Sequence, residues 1–168
     1  MLNKFRIGAA GVALVSALGM ASAANAANNV DATATAYILD PINITNSSDL
    51  DFGTIVNNGG GAVVVLPDGS LSSCAATLTC LAGTQTAANF QVTGTANAAV
   101  SVTIPANVTI TGPSGGLAVV TSNNVPGTPT LDGSGILNFG VGGTLTVLAG
   151  TTGGTYNNTT VNVSVAYN

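Results

Sequence analysis

The chain has 168 residues but only two cationic side chains, six carboxylates and no histidine, for a formal net charge of −4. Both cations, Lys4 and Arg6, lie at the extreme N-terminus, so nothing beyond them is able to displace counterions from phosphates, and nucleic acid is excluded as a partner. Gly, Pro, Asn and Thr punctuate the chain throughout, and beyond residue 26 no apolar segment approaches membrane-spanning length.

Lys4 and Arg6 precede an apolar run from Ile7 to Met20 that ends in small-x-small sequences, Ala21-Ser-Ala23 and Ala24-Asn-Ala26. This is the pattern of a Sec-type secretory signal peptide over residues 1–26, cut between Ala26 and Ala27. The run is shorter than the ~20 residues that a bilayer-crossing helix needs. Removing 26 of 168 residues leaves 142, with no Lys, Arg, His or Glu and with Asp31, Asp40, Asp49, Asp51, Asp68 and Asp132, a net charge of −6. A polar but nearly uncharged surface opposes self-association only weakly.

From Asn28 to Leu39 the sequence alternates, with Val30, Ala32, Ala34, Ala36 and Ile38 on one face, and reads as a strand. Pro41 interrupts the ladder, Ile42 and Ile44 resume it, and Asn46-Ser-Ser-Asp49 is a polar break. Leu50 to Ile55 predicts a short strand, and Val63 to Leu66 is a continuous apolar run closed by a Pro67-Asp-Gly69 turn. Cys74 and Cys80 are the only cysteines, an even pair in an exported chain, which predicts one disulfide closing a small loop.

Further strands are predicted at 90–92, 100–104, 108–110, 117–120, 136–141 and 145–147, separated by breakers that include Pro105, Gly112-Pro113 and Gly142-Gly143. From Val161 the apolar residues fall at every second position, through Val163 and Val165 to Tyr167. A strand that runs to the last residue must be paired inside a sheet or leave an open apolar edge. Eight to ten short strands at a spacing of about ten residues, with no helical period, predict an all-β antiparallel sandwich, a closed barrel being the alternative.

Catalysis needs a base, a nucleophile, a metal or a cofactor, and the segment beyond residue 26 has no His, Lys, Arg or Glu to supply them. Asp49 and Asp51 stand at alternate positions, where they could pair or hold calcium, but they read as a solvated loop and strand start. Gly59 to Gly61 has no Lys and no helix after it and reads as an ordinary flexible loop. No enzyme, metal or cofactor is expected.

The last fifteen residues resemble the C-terminus of pilin subunits assembled by the chaperone-usher route: an alternating terminal strand, a penultimate aromatic at Tyr167, and Gly154 fourteen residues before the end. The span from Asp40 to Asn168 also resembles a family of secreted bacterial proteins filed as a domain of unknown function. It does so through Pro41-Ile-x-Ile44, Leu50-x-Phe52-Gly53-x-Ile55, Gly142-Gly-Thr-Leu145-x-Val147, Gly154-x-Tyr156 and Tyr167-Asn168. Many pilins bridge their first two strands with a disulfide, whereas Cys74 and Cys80 stand later in the chain.

The pilin resemblance implies an immunoglobulin-like sandwich, residues 39–168, that lacks its final strand. It implies a groove filled first by a periplasmic chaperone, at an outer-membrane usher, and then by the N-terminal extension of another copy, making a homopolymeric surface fibre of a Gram-negative cell. Residues 27–38 would be that donor strand, with Val30, Ala32, Ala34, Ala36 and Ile38 facing the groove. Gly154, Tyr156, Val161, Val163, Val165 and Tyr167 would form the accepting edge. The alternative is a monomeric exported binding or adhesive module that keeps its first strand for itself.

Overall fold

The computed structural model describes residues 28–157 and 160–168, so the expected signal peptide and its cleavage point at Ala26 and Ala27 lie outside the described residues. The chain falls into two units, residues 1–36 and residues 37–168. In the first unit, residues 28–36 carry no regular secondary structure and their side chains are exposed.

The second unit is all-β, with eleven strands among the described residues and every ladder antiparallel. The strands are β1 (Asn43–Ser48), β2 (Ile55–Asn57), β3 (Gly61–Val65), β4 (Leu71–Cys74), β5 (Leu78–Cys80) and β6 (Ala88–Thr93). They continue with β7 (Val100–Thr103), β8 (Asn107–Gly112), β9 (Gly115–Asn123), β10 (Ile136–Val147) and β11 (Ser164–Tyr167). Seven of them form one curled sheet in the order β1-β6-β10-β3-β4, with β9 also paired to β10 and β8 to β9. The pairs β7–β11 and β2–β5 make two smaller sheets.

Period-2 patterning determines how the layers meet. In β6, Ala88, Phe90 and Val92 are buried while Asn89 and Gln91 are exposed, so one face turns to the core and the other to water. Phe90 stands opposite Phe139 of β10, the rings stacked with centroids 5.4 Å apart. These residues join Val92, Val100, Leu131 and Val141 in one buried cluster, against which Val102 of β7 and Val165 and Tyr167 of β11 pack. The β7–β11 pair therefore forms a second layer over the β1-β6-β10 part of the sheet, as in a β-sandwich. A second cluster, with Val63, Val65, Val119, Leu145 and Phe52, takes Ile55, Leu78 and Cys80 from the β2–β5 side. Cys74 and Cys80 are disulfide-bonded, which staples β5 to β4 and so the small β2–β5 ladder to the main sheet.

Four sequence expectations are corrected here. Residues 28–42 hold no strand, because alternation sets which face a segment presents but a strand also needs a neighbour for its N–H and C=O groups. The polar Asn46-Ser47-Ser48 does not break β1: it pairs with β6 through a bulge, as an edge strand with its polar side chains outward. Of Leu50–Ile55, only Asp51 bridges, to Thr86, before β2 begins at Ile55.

Gly142-Gly143 does not separate two strands, since β10 runs unbroken for 12 residues. Its N-terminal half pairs with β6, its C-terminal half with β3 and its middle with β9. Glycine serves close approach there: a Cβ on Gly140 would collide with the Pro67 carbonyl, and one on Gly142 with that of Val65.

Candidate functional site

The last strand is held from one side. β11 pairs with β7 in the register Ser164 to Thr103, Val165 to Val102, Ala166 to Ser101 and Tyr167 to Val100. Asn168 extends the contact, donating its N–H to Ala99 O (3.2 Å) and its side-chain amide to Val100 O (3.3 Å). Further back, Asn157 forms an isolated antiparallel bridge with Thr111 of β8, each donating its N–H to the other's carbonyl. From 157 to 164 the last segment advances seven residues while the facing stretch runs eight, from 111 to 103.

Along Val161–Tyr167 the expected alternation of burial holds, with Val161, Val163, Val165 and Tyr167 half-buried and Asn162, Ser164 and Ala166 exposed, but the expected strand is shorter: only Ser164–Tyr167 is in a ladder, and residues 161–163 are not. All four inward residues pack on the cluster around Phe90 and Phe139. Tyr167 is fixed at its tip as well, where its hydroxyl accepts from Thr95 N–H and donates to Asp40 O, both at 2.8 Å. Asp40 N–H in turn donates to Thr95 Oγ1 (2.6 Å). This knot of Asp40, Thr95 and Tyr167 is not visible in the sequence, because it joins positions 127 residues apart.

Among the described residues β11 has a ladder only with β7, and β1 only with β6. The two strands lie close together without pairing, and Ile42 before β1 and Ile44 within it pack on the same cluster as the valines of the last strand. One edge of each layer is thus left at the same side of the sandwich, with a row of backbone N–H and C=O groups on offer.

The structure divides the expected accepting edge. Val161, Val163, Val165 and Tyr167 stand together, but Gly154 and Tyr156 lie at the β8–β9 end. There Gly154 sits against Pro113 at φ +150°, and Tyr156 packs on the other core cluster. The Tyr156 hydroxyl accepts from Ser114 N–H (3.2 Å) and donates to Thr152 O (2.8 Å), closing the loop before the last strand. Of the expected donor residues, Val30 is 87% and Ile38 88% exposed, and Ala32, Ala34 and Ala36 are exposed too, none of them in a ladder.

A second surface lies on the outer face of β1, β6 and β10, where a cleft of about 350 Å³ is lined by Thr45, Gln91, Asn124, Asn138 and Asp68, with Gly140 at its side. Gln91 Nε2 donates to Asn138 Oδ1 (3.1 Å), and Asn124 Oδ1 accepts from Gly140 N–H (2.7 Å). Asp68 Oδ1 accepts the Ser70 N–H (2.9 Å) and hydroxyl (2.6 Å), and these bonds hold its carboxyl below the usual carboxylate range. Sequence reading passed over this row. Its signal was the polar face of the predicted strands, Gln91 and Asn138, at the positions between buried Phe90, Val92 and Phe139 and half-buried Leu137.

Asp51 Oδ1 accepts from Gly53 N–H (2.7 Å), while at Asp49 it is the main-chain carbonyl that accepts, from the Thr86 hydroxyl (2.7 Å). Among the described residues no group of three or more His, Cys, Asp or Glu side chains is placed to hold a metal ion.

A family model described as Domain of unknown function (DUF4402) matches residues 42–167. No curated protein and no solved structure matches the chain.

Proposed function

For a chain that belongs to the DUF4402 family, we propose the role of structural subunit in a bacterial surface fibre, a pilus or fimbria serving attachment and assembled by donor-strand exchange. The observation that carries this reading is the unpaired edge of β11 beside the unpaired edge of β1, over a core the two strands share. An extended segment from another copy would add a strand there by β-augmentation, its backbone meeting the open ladder groups and its alternate side chains the Val161–Tyr167 row. A head-to-tail contact of this kind does not close on itself and propagates as a fibre.

The strand order supports an immunoglobulin-like assignment. β1-β6-β10-β9 follows the A-B-E-D sheet of a constant-type immunoglobulin domain and β7-β11 the C-F pair, which leaves the place of strand G beside β11. In this reading the chain is exported through the signal at residues 1–26. A periplasmic chaperone holds the open edge, an outer-membrane usher passes the subunit outward, and residues 27–38 are donated to the next copy. The protein is not an enzyme and uses no cofactor.

Deleting residues 27–38 tests the proposal. The shortened chain should still be recovered folded with a chaperone but be absent from surface polymers, and Ala34→Arg should act similarly by placing an unpaired charge in the groove. Aggregation of the shortened chain, with no folded product, would mean that these residues belong to its own core.

One observation favours a second reading. Val161, Val163, Val165 and Tyr167 are already half-buried, as in an exported sandwich that stands alone as a monomeric binding or adhesive module. Such a module would remain monomeric with residues 27–38 intact.

A further inference from the structure

We infer that the polar cleft on the outer face of β1, β6 and β10 is a binding site for a neutral saccharide. It lies on the face of the sheet turned away from the core, so it is distinct from the β11 edge and independent of the fibre reading.

The chemistry of the walls selects the ligand class. The cleft holds amides, hydroxyls and one carboxylate and no cation, and no cation lies beyond Arg6, so an anionic ligand would meet Asp68 without compensation. Phe90 and Phe139 contribute to the wall but are buried, so neither offers a free ring face to a ligand. A ligand rich in hydroxyls, each able to donate and accept, fits the remaining groups, and about 350 Å³ is at the small end of ligand pockets, the size of one or two sugar rings.

The groups are also held in place. Gln91 and Asn138 spend one donor and one acceptor on each other, which leaves Gln91 Oε1 and the Asn138 amino group without a protein partner among the described residues. Asn124 is anchored through Oδ1 on Gly140 N–H and keeps its amino group, while Asp68 is anchored through Oδ1 on Ser70 and keeps Oδ2. Two acceptors and two amino donors are thus fixed by their other ends, which lowers the entropy cost of binding. Gly140 adds no side chain to the wall, because a Cβ there would strike the Pro67 carbonyl. Without an exposed aromatic ring to stack on, a single site binds weakly.

The test is saturation-transfer NMR on the exported chain. The probes are methyl glycosides of glucose, galactose, mannose and N-acetylglucosamine, with sialyllactose as the anionic counterpart. Transfer to at least one neutral glycoside is expected, with shifts in the Gln91 and Asn138 side-chain amide signals. Gln91→Ala combined with Asn138→Ala should weaken that binding about tenfold or more, and Asn138→Asp, which keeps the size and deletes the donor, should do the same. Thr146→Ala, exposed on β10 eight residues from Asn138, should leave it unchanged. No transfer to any neutral glycoside, binding that ignores both Asn138 variants, or equal binding of sialyllactose would overturn the inference.

Discussion

The hydroxyl of Tyr167 donates to the carbonyl of Asp40 at 2.8 Å, tying the last strand to the segment that precedes the first across 127 positions of sequence. The same oxygen accepts the N–H of Thr95, in the turn between β6 and β7, so one aromatic tip joins three parts of the domain. Tyr167→Phe keeps the ring on the core and removes only these two bonds. The expected loss is about 1–2 kcal/mol, since the Thr95 N–H is left without its acceptor, with a fall in Tm of roughly 3–8 °C. Thermal unfolding followed by circular dichroism checks this, and an unchanged Tm would mean that water replaces the phenol at no cost.

The glycines of β10 should separate sharply from those in loops. Gly142→Ala drives a methyl group into the backbone of Val65 and Leu66, which no side-chain rotation relieves, whereas Gly133→Ala meets nothing within 4 Å. Urea unfolding should show a loss of about 3 kcal/mol or more for the first and about 0.5 kcal/mol or less for the second. Equal effects would contradict the close approach of β3 to β10.

Replacing both cysteines by serine removes the closure of a loop whose ends are six positions apart. The chain-entropy relation gives a loss of about 2.4 kcal/mol. Because the bond fastens the β2–β5 ladder to the main sheet, amide exchange should rise most at Ile55–Asn57 and Leu78–Cys80. A uniform rise over all strands would mean that the disulfide acts only through the unfolded chain.

Asp68 supplies a pH dependence of known sign. Its carboxyl is lowered in the folded chain by the Ser70 hydroxyl and N–H, so its contribution is fully present above the pKa of the unfolded chain and is lost as pH falls through the folded value. Urea midpoints from neutral pH down to about pH 2 should fall on acidification, and less so in Asp68→Asn. Identical slopes for the two proteins would show that the Ser70 bonds are exchanged freely with water at this exposed site.

The sequence made the last strand legible for a simple reason: Val161, Val163, Val165 and Tyr167 alternate with polar residues, and the structure half-buries those four. The cysteine pairing was equally direct, since two cysteines admit one intramolecular bond. Three kinds of feature were not. β4 and β5 carry those cysteines but are only four and three residues long, too short for a period to register. Gly142-Gly143 reads the same whether glycine breaks a strand or admits a neighbouring backbone, and only the position of Val65 decides between them. Alternation from Val30 to Ile38 says which face would be apolar but not what partner would complete the ladder. The polar cleft escaped for a related reason, because Gln91, Asn124 and Asn138 come together only once β6, β9 and β10 pair.

The central claim is that copies of this chain complete one another. Surface material sheared from cells that make the protein, run on a denaturing gel with and without heating and blotted for the chain, tests it most directly. A ladder of multimers that collapses to the single chain only on heating is expected, because strand-complemented polymers dissociate slowly, and Ala34→Arg should abolish it. A single monomer band in both lanes, or the whole of the protein free in the culture medium, would contradict it.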